Sequence, residues 1–224
     1  RRSGVPVHFS HFRTDESNAG KVSERTYLID KAIEEGLDIS LELYPYPTGS
    51  TFPLSFLPSW AHEGGPSAVM ERLSNRDTFQ KLAYYLDNEY ERPIDEAVFS
   101  YVPRNVTLEG ASLKQIATDR GTTLGTTLCN LLKENELEIG YWGSPPISIS
   151  TCDQINKDCM ELLSRPDYMV GSDSIPLGKY PHPRAYGTFP RIIGRFQRKY
   201  HMMPLEQTIQ RITENPAKRF NLNK

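Results

Sequence analysis

The sequence predicts an α/β fold built on parallel strands. A strand, a helix and a strand follow one another over the first 46 residues. Three strand-like segments, ending at His11, Tyr44 and Asp173, each run from apolar residues into polar ones. A βαβ unit implies parallel strands joined by a right-handed crossover. In parallel α/β folds the C-terminal ends of the strands are where sites are built. Three such strands make no comfortable small domain, so the sheet is expected to have more strands than this chain supplies.

The elements follow in order. Val5 to His11 alternates and is rich in β-formers, so it reads as a strand, followed by the loop "FRTDESNAGKV". "SERTYLIDKAIEEG" carries Tyr27, Leu28, Ala32 and Ile33 at helical spacing, with Ser23 as N-cap and Gly36 closing the helix. "DISLELYPY" is the second strand, stopped by Pro45. "PTGSTFPLSFLPSWAHEGGPS" is too rich in large apolar side chains for a disordered loop and reads as an ordered one. Helices are expected near 67–74, 76–87, 112–119 and 124–135, with a strand from Glu96 to Val102 and a turn at Gly121. "ISISTCDQINKDCMELLSRP" reads as a short strand and then a helix ended by Pro166. "DYMVGSDS" is the third buried strand with a polar end, and "YGTFPRIIGRFQRKY" is helical. "PLEQTIQRITENPAKRF" gives two more helical segments, with Pro204 in a first turn and Pro216 at the break before the last.

Composition narrows the function classes. With 38% hydrophobic and 24% charged residues and a formal net charge of -2, the chain has the balance of an ordinary soluble globular protein. No nucleic-acid or membrane partner is expected. The densest basic cluster, Arg191 to Lys199, has helical spacing and reads as a solvated helix face. No apolar run approaches the ~20 residues that cross a bilayer. Cys129, Cys152 and Cys159 show no C-x-x-C spacing and are expected to be reduced packing residues of a cytoplasmic protein.

Several side chains could carry chemistry. His11 ends the first strand, where it is either a ligand or a half-buried hydrogen-bonded imidazole. Asp173, between small residues in "VGSDS", is either functional or a turn carboxylate. Together they suggest a metal, with a carboxylate able to accept a proton from water, and zinc suits this donor set. Tyr44, Tyr46, Ser50 and Thr51 offer hydroxyls at a second strand end. Arg184 could clamp a carboxylate or form a loop salt bridge. His62 and His201 read as surface or packing residues.

"VPVHFSHFR", "ELYPYPTGSTFPLSFLPSWAHEGG", "YMVGSDS" and "HPRAYGTFPRIIGRF", in this order, resemble the second half of the D-aminoacylases. These are N-acyl-D-amino-acid deacylases of the amidohydrolase superfamily. The resemblance runs over nearly the whole chain and is weakest from about Met70 to Pro146. It implies the C-terminal part, strands 6–8, of a (β/α)8 TIM-type barrel, interrupted by a long, mostly helical insertion. The segments are then 1–46 (strand, helix, strand), 47–151 (insertion over the active site) and 152–224 (last strand and C-terminal helices). By resemblance His11 is a zinc ligand, and Asp173 is both a metal-site residue and the catalytic group that activates water and protonates the leaving amine. By resemblance Tyr44 and Arg184 match the residues that hold the substrate carboxylate, Arg13 takes the place of a lysine that contributes there, and Ser50 matches a substrate-binding serine near the same group. His8, three residues before His11, has no ligand counterpart and is expected to pack. Arg13 stands where the family has Lys, and Ser174 where it has Gly. The family's first-strand H-x-H, bridging Cys and fifth-strand His have no counterpart here.

The resemblance implies a zinc hydrolase acting on small N-acyl-D-amino acids. The alternative is a non-catalytic binding or assembly module that keeps the barrel shape. A dihydroorotase or hydantoinase is disfavoured by "HPRAYGTFPR". With one histidine ligand and one carboxylate, this polypeptide alone is expected to bind zinc weakly and to hydrolyse nothing. Its exposed barrel edge is expected to promote homo-oligomers, checkable by scattering at two concentrations. Zinc titration combined with an N-acetyl-D-amino-acid assay tests the first expectation; tight stoichiometric zinc with turnover would contradict it.

Overall fold

The structure is a computed structural model and describes residues 2–143, 146 and 148–222. Two compact units emerge: Arg1–Thr48, Pro145–Ser174 and Pro183–Lys224 form one, and Gly49–Ser144 with Ile175–His182 form the other.

The first unit is built on a parallel sheet of β1 (Val7–Phe9), β2 (Ile39–Leu43) and β6 (Tyr168–Val170), in the order β1-β2-β6. His8 pairs with Ser40 and Leu43 with Val170. Successive strand residues point to opposite faces. Leu41, Leu43, Tyr168 and Val170 therefore share one face, and all are buried in the unit's core. Helix α1 (Val22–Glu34) contributes Val22 and Ile29 to that core, and α6 (Ile149–Ser164) contributes Ile155, Cys159, Leu162 and Leu163.

Charged side chains secure the helix ends. Arg165, just past α6, reaches Asp167 and Asp30 of α1. Arg211 of α8 (Leu205–Ile212) donates to the carbonyls of Leu163 and Ser164, which the end of α6 leaves without helical partners. Helix α9 (Glu214–Arg219) brings Arg219 to Asp38 and to the carbonyl of Val7.

The second unit has its own core. An antiparallel sheet, β3 (Ser50–Thr51), β5 (Gly140–Trp142) and β4 (Val98–Tyr101), packs with α2 (Gly65–Ser74), α3 (Arg76–Asn88), α4 (Leu113–Arg120) and α5 (Leu124–Glu134). Gly125, in the first turn of α5, lies against the backbone of Ala83, where a Cβ would collide with the Ala83 carbonyl. The buried Glu109 carboxylate accepts hydrogen bonds from Val102 N (3.0 Å) and Lys179 N (2.8 Å), which holds the 175–182 segment to this unit.

Several expectations need correction. Ser23 is not the N-cap of α1: Lys21 occupies that position, with no side-chain cap. The strand expected before α6 is replaced by helix from Ile149, capped by Ser148, while Ile147 lies outside the described residues. The helix expected over 186–200 is an α segment, α7 (Arg184–Arg191), running into a π segment (Ile192–Gln197). Pro190 inside α7 removes one backbone donor, and π turns accommodate such interruptions. Pro204 precedes α8 as its N-cap, and Pro216 lies inside α9 rather than at a break.

No cysteine is bonded to another. Burial pushes the Cys129 thiol up to about 12 and the Cys159 thiol up to about 11, while Cys152 is half-buried. Since the thiolate is the reactive form, Ellman's reagent at pH 8 should label one cysteine in the folded chain and all three in denaturant. Rapid labelling of all three in the folded chain would contradict this burial.

Candidate active site

Because the three strands are parallel, their C-terminal residues leave the first unit's sheet at one edge. β1 ends in Ser10 and His11, β2 in Tyr44, and β6 in Gly171, Ser172 and Asp173. With β2 between them, β1 and β6 lie about 10 Å apart. His11 (φ +41°) and Asp173 (φ +45°) both hold left-handed backbone, which costs a non-glycine residue about 1–2 kcal/mol. Such strain persists where surrounding contacts over-determine it, and it clusters at functional sites.

Those contacts are visible after His11. Phe12 N donates to the Glu42 carbonyl (2.8 Å), and the Tyr168 hydroxyl donates to the Phe12 carbonyl (3.1 Å). Asp158, buried on α6, then takes the Thr14 hydroxyl (2.6 Å), the Gly20 N–H (2.8 Å) and the Gln154 amide (2.7 Å). The loop that carries His11 and Arg13 is thus pinned to β2, β6 and α6.

Tyr44, 5% exposed, is the centre of the site. Arg13 Nη2 donates to its hydroxyl at 3.0 Å, and the Arg13 guanidinium carbon lies 4.7 Å from the ring centroid. The Arg184 guanidinium carbon lies 4.4 Å from the same centroid. Arg184, at the start of α7 and almost fully buried, also pairs with Asp173 through Nη1···Oδ2 at 2.7 Å. Arg13 lies within electrostatic reach of the Asp15 carboxylate, but stands in no direct ion pair among the described residues. Two guanidiniums beside one tyrosine offer planar N–H forks of the kind that fits a carboxylate.

Arg13, Tyr44, Asp173 and Arg184 are therefore brought together. Ser50 belongs to the second unit, on β3, where its hydroxyl donates to the Tyr141 carbonyl (3.0 Å). Ser174 donates weakly to the Ala185 carbonyl at 3.5 Å, in the first turn of α7.

A second polar cluster escaped the sequence reading. His8 Nδ1 lies 2.8 Å from Ser40 Oγ, and His8 Nε2 lies 3.6 Å from Glu42 Oε2. Ser10 donates to Glu42 Oε1 at 2.6 Å. His8 is therefore part of a polar network and not simply packing, although its ring also meets Phe220 edge-on at 5.1 Å. The available signal was the alternation in "ISLEL", which sends Ser40 and Glu42 to the face opposite Leu41 and Leu43. Gly171 belongs to the same face, since a Cβ there would collide with the Glu42 carboxylate.

An imidazole and a carboxylate are donor types that zinc accepts. In number they fall short, because no group of three or more His, Cys, Asp or Glu that could hold a metal occurs among the described residues. No helix among them is long and apolar enough to cross a membrane.

Comparison with known proteins gives the site a context. No family model matches the chain. It is 26% identical over 223 residues to the N-acyl-D-glutamate deacylase of Alcaligenes xylosoxydans xylosoxydans, and equally to the D-aminoacylase of that organism. In each case the alignment covers 99% of this chain and 36% of the relative, so the chain spans about a third of the length of the curated relatives it matches. Among solved structures, the N-acyl-D-glutamate deacylase of Bordetella bronchiseptica, complexed with zinc and a phosphonate mimic of the tetrahedral intermediate, aligns with a TM-score of 0.68. That alignment has 25% identity and covers 99% of this chain and 37% of that one. The curated and structural neighbours are D-aminoacylases, of the amidohydrolase type.

Asp158 tests how the site is held. Asp158→Ala strands the Thr14 hydroxyl, the Gly20 N–H and the Gln154 amide, and should cost about 3 kcal/mol in urea unfolding. A loss below about 1 kcal/mol would show that the loop is held by other contacts.

Proposed function

We propose that this chain supplies the C-terminal strand ends of the active site of a zinc-dependent hydrolase that cleaves the amide of N-acyl-D-amino acids. In this reading β1, β2 and β6 are the sixth, seventh and eighth strands of a (β/α)8 barrel, and the second unit is its insertion. The observation that carries the proposal is the grouping of Arg13, Arg184 and Asp173 around Tyr44, in a chain whose neighbours are D-aminoacylases.

Arg13, Arg184 and the Tyr44 hydroxyl bind the substrate carboxylate. Arg184 serves both that group and Asp173, since a guanidinium offers five N–H donors. Holding the carboxylate at a fixed point sets the distance to the amide, so that positioning supports the rate. Asp173, oriented by Arg184, takes a proton from the attacking water and delivers it to the leaving amine. Zinc, when bound, supplies charge that acidifies water and polarises the acyl carbonyl. His11 and Asp173 are the residues of this chain that would help hold it, and a complete zinc site would need further donors.

The test uses the full-length protein. It should hydrolyse N-acetyl-D-amino acids in preference to their L enantiomers. Asp173→Asn, at zinc content equal to that of the unaltered protein, should lower kcat about 10³-fold while KM moves less than about threefold, as removal of a general acid–base requires. Asp173→Asn with kcat within about tenfold of the unaltered protein would contradict the assignment. Binding of N-acetyl-D-amino acids without turnover by the unaltered protein would favour the non-catalytic module instead.

A further inference from the structure

Arg191 ends α7 and has no part in the chemistry set out above. Its place in the basic cluster 191–199 predicts a solvated side chain, yet it turns inward. Its Nε donates to the Pro45 carbonyl (2.5 Å) and its Nη2 to Oδ1 of the buried Asn156 on α6 (3.0 Å). Its guanidinium carbon lies 4.7 Å from the centroid of the Tyr46 ring.

Arg184 and Arg191 are seven residues apart on one helix, close to two full turns, so they share a face about 10 Å apart along the axis. They make the same kind of contact: Arg184 stacks on Tyr44 and Arg191 stacks on Tyr46. Between the two tyrosines, Pro45 has a fixed φ, so its carbonyl is a stiff handle on Tyr44. α7 and the turn also interlock at Gly187, where the Tyr46 hydroxyl fills the space a Cβ would need.

We propose that Arg191 is a positioning residue for carboxylate recognition: by tying the Tyr44–Tyr46 turn to α7 and α6, it fixes the spacing between Tyr44 and Arg184. The inference rests on the functional reading above. Without Arg191 the turn keeps the Gly187 contact but loses its two-bond anchor. Tyr44 and Arg184 then no longer present one pre-organised surface, and binding weakens through the cost of re-ordering them.

The full-length protein, stripped of metal to prevent turnover, is titrated calorimetrically with whichever of N-acetyl-D-glutamate and N-acetyl-D-leucine it binds. Arg191→Ala should weaken Kd about tenfold. Arg191→Lys keeps one donor for the Pro45 carbonyl and loses the Asn156 bond, so its Kd should weaken about threefold. The double variant Arg184→Ala/Arg191→Ala should lose less than the product of the two single losses, because Arg191 acts in part through the Arg184–Tyr44 pair. If Arg191→Ala does not fold, Arg191→Lys with an unaltered melting curve carries the test. An unchanged Kd in the folded Arg191 variants, or losses that multiply in the double variant, would overturn the inference and leave the functional reading standing. No binding of either acid by the unaltered protein would overturn the functional reading, and this inference with it.

Discussion

The first unit depends on which face of its sheet is buried. In β2, Leu41 and Leu43 must reach the helical layer, so Ser40 and Glu42 are turned to the other side. Pairing carries that choice to both neighbours: His8 faces Ser40 from β1, and Tyr168 and Val170 of β6 join the leucines beneath α6. A slip of one residue would push the Glu42 carboxylate among Ile155, Cys159 and Leu162, with no partner there to satisfy it. The register is therefore fixed by the hydrophobic effect. With it comes the edge at which His11, Tyr44 and Asp173 emerge.

What the sheet leaves approximate, buried polar contacts make definite. Helix α6 is the common support: its apolar side packs on the strands, while Asp158 holds the loop bearing Arg13 and Asn156 holds Arg191. Tyr44 then acts as a bearing between two guanidiniums that would repel one another in isolation. Its electron-rich faces and its hydroxyl stabilise both cations. Arg184 is paired directly with Asp173, while Arg13 feels the Asp15 carboxylate only from a distance.

Much of this was legible in the residues. Apolar strands with polar ends placed His11, Tyr44 and Asp173 at one edge, and helical periodicity located α2 to α5 to within a few residues. The misses have local causes. β3 and β5 are two and three residues long, too short for alternation to register; β3 exists only through its pairing with β5, which in turn pairs with β4. "ISIST" has the composition of a strand, but a serine cap at Ser148 turns it into the start of α6. Arg191 looked solvated because charge patterning shows where cations cluster along a helix, not which one a neighbouring carbonyl draws inward. The Glu42 network was hidden for a similar reason, since Glu42 and Ser40 on β2 meet partners from β1 and its end that are distant in the sequence.

The central claim is that His11 and Asp173 face one metal position at the mouth of the sheet. Crystals of the full-length protein grown with zinc, with data collected on both sides of the zinc absorption edge, address it directly. The account predicts an anomalous peak within about 2.0–2.2 Å of a His11 ring nitrogen, with an Asp173 carboxylate oxygen beside it. A fully occupied zinc peak elsewhere in the protein, with His11 and Asp173 both turned away from it, would contradict it.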